Sequence, residues 1–297
     1  MTLVQAVAGQ LSSGGFAAAW RLVRVLPEPA ARRAFASAAD LAAARGGPGV
    51  ERLRANLQRV APGEDLLRPA LRSYARYWCE AFRLPAMNRE RLVEGTTTRG
   101  EPAARASFAS GRGTILALPH SGNWDAAGAW LAFTGVPFTT VAERLKPESL
   151  YERFVEFRQS LGMEVLPLTG GDRPPFDVLA ERLSAGGTVA LLADRDLTPR
   201  GIDVQLFGAT ARMPAGPARL ALETGADLIP TTLSFTDDGW LICFDDVVPP
   251  TDLATMTQSL ATSFEAAIAE HPVDWHMLQP LWLDDLPDGD SRKARQS

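Results

Sequence analysis

Two cysteines occur in the 297 residues, Cys79 and Cys243, and they lie far apart with no Cys-x-x-Cys partner. A disulfide framework and a zinc site are therefore not expected, a reducing compartment is natural, and both thiols should be buried and unreactive. The three histidines are dispersed and make no ligand cluster, so no metal is indicated. Gly-x-Gly-x-x-Gly, a Walker loop and a Gly-x-Ser-x-Gly elbow are all missing, which removes support for NAD, ATP and serine-hydrolase chemistry. No internal repeat is found. No apolar run is long enough to span a membrane: residues 2–26 are rich in apolar side chains, but Gln10, Ser12, Ser13, Gly14 and Gly15 interrupt them. The basic start of a signal peptide is also missing.

Lysine and histidine are absent from residues 1–85, which hold twelve arginines against six acids, a net +6. The whole chain carries −5, so the remainder carries −11. A basic segment on an acidic protein points to an anionic partner. With no RNA-binding aromatic motif, zinc finger or basic tail beside it, lipid suits it better than nucleic acid. Phe16, Trp20 and Val23 share a helical face with Arg21 and Arg24 turned away, a pattern that fits either an interfacial helix or a core helix of an N-terminal bundle. Helices are predicted over 28–46, 50–60 and 65–82. The last places Leu67, Leu71, Tyr74, Trp78 and Phe82 on one face and Arg68, Arg72 and Arg76 in an i, i+4 stripe on another. Arginines beside Tyr and Trp suit a lipid-headgroup contact; a solvated basic face is the ordinary alternative.

From residue 96 the texture changes to alternating strands and helices. The expected architecture is α/β: a central, mostly parallel sheet flanked by helices over 96–297, preceded by a basic, membrane-facing helical part over 1–95. Strands are predicted at 114–118, 136–142, 163–168, 189–193, 202–207, 228–235 and 240–245, with the last two joined by Asp237-Asp238-Gly239. Helices are predicted at 124–133, 147–161, 176–183, 214–224 and 253–270. The small residues Ala215, Gly216, Ala218 and Ala221 would let a backbone or a ligand's alkyl chain approach the fourth of these closely.

One stretch organises the rest. Thr114 to Leu118 is a short apolar run, Pro119 and His120 follow it, and Ser121-Gly122-Asn123 signals a turn and a helix start. His120 thus falls where a strand of an α/β sheet gives way to a helix, the edge at which such sheets bind ligands. Asp125, in the first helical turn, could fold back and hold the imidazole in one tautomer, leaving the other ring nitrogen as a base. Acids and arginines recur at later strand ends and on an adjacent helix: Glu143, Arg158, Asp194 and Arg195. Together they suit proton abstraction, although Glu143, Arg158 and Asp194 could equally form a buried ion-pair network. No serine or cysteine is set up as a covalent nucleophile, so direct attack of a substrate hydroxyl on an activated acyl group is the economical reaction.

His-Ser-Gly-Asn-Trp-Asp (120–125) matches the His-x4-Asp/Glu signature of glycerolipid-type acyltransferases. With Val141 to Glu148, Phe157 to Gly162, Ala193 to Asp196 and Met213 to Pro217, the chain resembles the lipid A late-acyltransferase superfamily over nearly its whole length. Within that superfamily it is most similar to the actinobacterial branch that acylates phosphatidylinositol mannosides. The resemblance implies an acyl-coenzyme A or acyl-carrier-protein thioester as donor and no bound cofactor. For this branch it implies palmitoyl-coenzyme A and transfer to the 6-hydroxyl of a mannose on the inositol ring. It makes His120 the base, Asp125 the second motif residue, and Glu143 and Arg158 supporting groups. Asp194 takes the place of an acid, often Glu, that pairs with the histidine, and is one methylene shorter. It also implies peripheral attachment to the cytoplasmic face of the inner membrane. Two other readings fit the same residues: an acyltransferase for another glycolipid or a lysophospholipid, and a catalytically silent lipid-binding protein on this fold.

Overall fold

A computed structural model describes residues 23–143, 148–196, 198 and 200–285, apart from the side chains at 149, 150, 153 and 154. The N-terminal reading on Phe16 and Trp20 and the motif residues Arg144 to Pro147 lie outside the described residues. The described residues include three helices before the sheet: α1 (Glu28–Arg45), α2 (Pro48–Val60) and α3 (Leu67–Arg83). Their apolar faces meet in a cluster of Ala39, Val50, Leu53, Leu57, Leu67, Ala70 and Leu71. The face predicted for α3 is the one it buries, with Trp78 half-buried. A short helix α4 (Arg89–Glu94) leads into the first strand.

The rest alternates strand and helix: β1 (Thr96–Arg99), α5 (Glu101–Phe108), β2 (Thr114–Leu118), α6 (Trp124–Phe133), β3 (Phe138–Ala142), α7 (Glu148–Ser160), β4 (Met163–Pro167), α8 (Pro175–Ser184) and β5 (Thr188–Leu192). A hairpin follows, β6 (Ile202–Leu206) with β7 (Ala209–Met213), then α9 (Gly216–Thr224), β8 (Asp227–Phe235), β9 (Trp240–Phe244) and α10 (Leu253–Glu270). The sheet order is β1-β9-β8-β2-β5-β3-β4, parallel except for the β8–β9 pair. β2 is the central strand, fully buried, with β5 and β8 on its two sides. That position explains a strand written Thr-Ile-Leu-Ala-Leu with no polar alternation.

Successive side chains of a strand face opposite sides of a sheet. Ile115 and Ala117 accordingly pack with Val189, Leu228 and helices α8, α9 and α10 on one side. Leu116 and Leu118 pack with Ile229, α6 and the first residues of β3 and β4, Phe138 and Met163, on the other. The small residues of α9 belong to the first side, where Ala218 and Ala221 fit against the core. None of Ala215, Gly216, Ala218 and Ala221 lines the apolar cavity beside His120, and of the two approaches expected there, backbone or alkyl chain, Ala218 and Ala221 serve packing within the protein.

Two strands escaped the sequence reading. β1 is Thr-Thr-Thr-Arg at the sheet edge, paired in parallel with β9 and alternately half-exposed, and so carries no apolar run. β7 follows a two-residue turn, Phe207-Gly208, in which both residues have positive φ (49° and 70°). That geometry matches the twist of a hairpin but is here written without Asn or Asp. Among the described residues no helix is long and apolar enough to cross a membrane.

The arginine stripe of α3 divides in two. Arg72 makes two hydrogen bonds to Asp40 (2.8 and 2.6 Å), and Arg68 lies 3.6 Å from the same carboxylate; both side chains are at least half-exposed. Arg76 is different. Its guanidinium donates to Glu80 Oε1 (2.7 Å) and to the carbonyls of Thr236 and Gly239 (2.8 and 2.9 Å), and it lies 4.1 Å over the Phe235 ring. Arg76 therefore ties α3 to the β8–β9 turn and is not a headgroup contact, correcting the expectation for that residue. Arg76→Ala removes the nearer of two arginines from the buried Glu80, with Arg32 left 3.9 Å from the same oxygen, and is expected to destabilise the fold by about 1.5–3 kcal/mol, read from urea unfolding. Alanine at Arg68, on a solvated face, should leave the midpoint unchanged.

Candidate active site

β2 delivers His120 to the carboxyl end of the sheet at its centre. Gly122 makes the turn that follows: its φ is 55°, and a Cβ there would sit 2.8 Å from the Leu233 backbone. Only glycine combines that φ with that approach. Asn123 then caps α6, its side chain accepting from Ala126 N (3.0 Å) while its amide donates to Glu80 (2.8 Å). Glu80 also accepts from the Trp240 indole (2.7 Å), so one buried carboxylate joins α3, the motif turn and β9.

The neighbouring strand β5 ends two residues before Asp194, which is 1% exposed. Asp194 Oδ1 lies 2.5 Å from His120 Nδ1, and its Oδ2 accepts from His120 N (2.9 Å) and from the Trp275 indole (3.2 Å). A carboxylate so placed accepts the Nδ1 proton, which leaves Nε2 as the basic nitrogen. Nε2 has no hydrogen-bond partner among the described residues, and the ring lines a cavity. Burial works to lower the imidazole's pKa and is the largest single influence. The charge and hydrogen bond of Asp194 outweigh it, so the pKa is raised. Asp194 responds in the opposite sense: burial pushes it up, and His120 with the Trp275 and backbone donors holds it below the ordinary carboxylate value.

Asp125 does not fold back on the imidazole, contrary to the expectation drawn from its spacing. It is 1% exposed and accepts from Arg158 Nε and Nη2 (2.7 and 3.3 Å) and from the Tyr77 hydroxyl (3.1 Å). In the first turn of α6 it faces α3 and α7, away from β5. Burial, reinforced by the Asp125 charge, pushes the Tyr77 phenol well above its ordinary pKa. The Tyr77 ring lies on Trp124 with centroids 4.1 Å apart, and Trp124 stands edge-on to His120 at 6.0 Å. The Asp125–Arg158–Tyr77 group thus positions the aromatic wall beside the His120 imidazole.

Glu143, at the carboxyl end of β3, and Arg195, just past Asp194, line the same cavity. Glu143 is exposed, and its charge adds to the raising of the His120 pKa. Arg195 donates from Nε to the Pro280 carbonyl (2.9 Å), and burial lowers its pKa against the pull of Asp194, Asp196 and Glu143. His120, Glu143, Arg158, Asp194 and Arg195 are therefore brought to one place.

The sequence reading gave no role to Trp275, His276 or Tyr77. A large indole in an irregular segment was the available signal, because a buried indole N–H needs an acceptor; Trp275 finds one in Asp194. His276 N donates to the His120 carbonyl (2.7 Å), and its Nε2 lies 3.0 Å from Ser73 Oγ. The Ser73 proton goes to Asp274 (2.6 Å), so Nε2 carries the imidazole proton and Nδ1 is bare. Burial, with His120 nearby, lowers the His276 pKa to about 3, which keeps it neutral.

Behind these polar groups the cavity, of about 300 Å³, is apolar. Its walls are Leu116, Leu118, Leu233 and Ile242 from the sheet and Ala127, Gly128, Trp130 and Leu131 from α6, with Phe138 and Met163 beyond. An imidazole hydrogen-bonded to a buried carboxylate therefore stands at the mouth of a greasy slot.

Residues 15–284 match the bacterial lipid A biosynthesis acyltransferase family. The chain belongs to this family. It is 54% identical over 295 residues to the phosphatidylinositol mannoside acyltransferase of Mycolicibacterium smegmatis, covering 97% of this chain and 96% of that protein. It is 52% identical over 290 residues to the Mycobacterium tuberculosis (strain CDC 1551 / Oshkosh) protein of the same name, covering 94% of this chain and 90% of that one. Membership makes the chain an acyltransferase, and the slot with its histidine is the feature of the fold suited to that chemistry.

Proposed function

We propose that this acyltransferase moves a fatty acyl chain, palmitoyl in the main case, from acyl-coenzyme A to the 6-hydroxyl of a mannose on a phosphatidylinositol mannoside. The observation that carries the reading is the His120–Asp194 pair at the mouth of an apolar cavity. The names of the relatives support the acceptor. The acyl chain occupies the slot, which sets the thioester carbonyl beside His120. The mannose hydroxyl attacks that carbonyl while Nε2 takes its proton, and Asp194 stabilises the imidazolium. The tetrahedral intermediate collapses, the C–S bond breaks, and the thiolate leaves and takes the proton back from the imidazolium. The products are an ester and free coenzyme A. Arg195 and Glu143 at the rim are placed to meet the polar parts of the two substrates.

The purified protein, palmitoyl-coenzyme A and a phosphatidylinositol mannoside are mixed, with thiol release and lipid mass followed together. Equal amounts of thiol and monoacylated mannoside are expected. Thiol release without the acylated lipid would move the acceptor elsewhere, to another glycolipid or a lysophospholipid. Lipid binding with neither signal would favour a silent binder.

The protein works from the cytoplasmic surface of the cell membrane, and the exposed arginines of α3 contribute to its attachment. Charge reversal of Arg68 and Arg72 to glutamate is expected to weaken sedimentation with anionic vesicles severalfold at low salt, with little change on neutral vesicles. Equal sedimentation of variant and native protein would remove these residues from the membrane contact.

A further inference from the structure

The cavity wall opposite the sheet is α6, and the residues it lends are arranged by size. Trp124, Ala127, Gly128 and Leu131 follow the i, i+3, i+4, i+7 spacing of a single helix face, and all four line the cavity. Two bulky side chains frame two minimal ones. α6 begins at the carboxyl end of β2 beside His120 and runs back toward the amino ends of the strands. From Trp124 to Leu131 it covers about 10 Å. Trp124 therefore flanks the mouth and Leu131 lies at depth.

Gly128 sits between them, over the opening residues of two strands. A Cβ there would stand 2.8 Å from Met163 Cε, 3.0 Å from Phe138 Cζ and 3.3 Å from Met163 Sδ. The backbone at Gly128 is ordinary helix, so no unusual φ calls for glycine. A glycine inside a helix costs about 0.5–1 kcal/mol relative to alanine. What the missing side chain provides is room for the tips of Met163 and Phe138, which pack directly against the α6 backbone and so stand back from the inner half of an apolar slot.

We propose that Gly128 sets the depth of the acyl channel, with Met163 and Phe138 as its floor, and so decides the longest acyl chain that is transferred efficiently. This rests on the reading that the cavity holds the donor's acyl chain. A side chain at 128 pushes against two flexible tips, which must move into the slot or close it. Short chains end above that level and long ones do not.

The test is kcat/KM for decanoyl-, dodecanoyl-, hexadecanoyl- and octadecanoyl-coenzyme A with a mannoside acceptor, in the native protein and in Gly128→Ala, Gly128→Val and Met163→Ala. Gly128→Val is expected to lower hexadecanoyl relative to dodecanoyl transfer by about tenfold or more, the discrimination a few methylenes give in an apolar pocket. Gly128→Ala, which favours the helix and so keeps the protein folded, shifts the ratio the same way by less. Met163→Ala moves the preference toward octadecanoyl, and adding it to Gly128→Ala restores hexadecanoyl transfer. An unchanged length ratio in every variant, or an equal fall for all donors, overturns the assignment of Gly128 while the reading of the cavity stands. A native enzyme whose rate does not depend on chain length overturns both.

Discussion

His120→Ala is expected to lower kcat for acyl transfer by on the order of 10²–10⁴, the range typical for removal of a positioned general base. KM for the donor should change little, because in the proposed reaction the slot rather than the ring holds the acyl chain. The variant should remain folded: the imidazole stands at the cavity mouth with its side chain 36% exposed. Asp194 keeps two donors without it, His120 N and the Trp275 indole. Asp194→Asn is expected to lose activity to a similar extent by another route. An asparagine amide can present its NH2 to Nδ1, which would then accept, leaving the proton on Nε2 where the base must be bare. Steady-state thiol release in the two variants checks both. A His120→Ala enzyme that transfers acyl groups at the native rate would remove the base assignment, whatever the lipid affinity.

The second large effect concerns stability. Asp125 is buried on Arg158 and Tyr77, and Arg158→Ala would leave a carboxylate in the interior with a single phenol donor. Breaking a buried pair from one side costs about 3–5 kcal/mol, because the remaining charge has no water to return to. Urea unfolding should register that loss in the midpoint. The pairing also predicts strong coupling: Asp125→Leu together with Arg158→Met removes both charges and should recover much of the lost stability. Tyr77→Phe, which removes one hydrogen bond to the same carboxylate, should cost about 1 kcal/mol. Additive effects of the Asp125 and Arg158 substitutions would contradict a direct pairing. If Asp125 instead oriented the imidazole, Arg158→Met/Asp125→Leu would be stable and inactive, with the same altered pH profile as Asp194→Asn.

Much of this site can be read from the chain, and the reason is specific. β2 and β5 are apolar runs at the centre of a parallel sheet. Each delivers a polar residue at its carboxyl end, so His120 and Asp194 are neighbours once the two strands are. What spacing does not reveal is the direction a side chain takes from a helix. Asp125 is five residues from His120 but on the face of α6 turned toward α3 and α7. Its partners come from 48 residues upstream and 33 downstream. Arg76 shares the stripe of Arg68 and Arg72, yet two backbone carbonyls at a distant turn claim it, and no local pattern announces them. Trp275 and His276 sit in a segment without periodicity, fixed by an antiparallel bridge between Ser121 and Trp275 that has no sequence signature. Small residues are more abundant on α9, where they serve core packing, whereas Ala127 and Gly128 of α6 are the ones that face the slot.

The pH dependence of kcat/KM, measured in the native enzyme and in Asp194→Asn, tests the central claim most directly. With His120 as the proposed base, transfer requires the imidazole unprotonated, so the rate should rise with pH through its pKa. Asp194 raises that pKa, which places the acid limb above the ordinary histidine value of about 6.5. Without the Asp194 charge, burial and the Arg195 charge are opposed only by the weaker pull of Glu143, and the residual activity of the variant should show its limb at lower pH. An acid limb that stays in place when Asp194 becomes asparagine would mean that another group titrates in the rate, and the His120–Asp194 pair would not be the base.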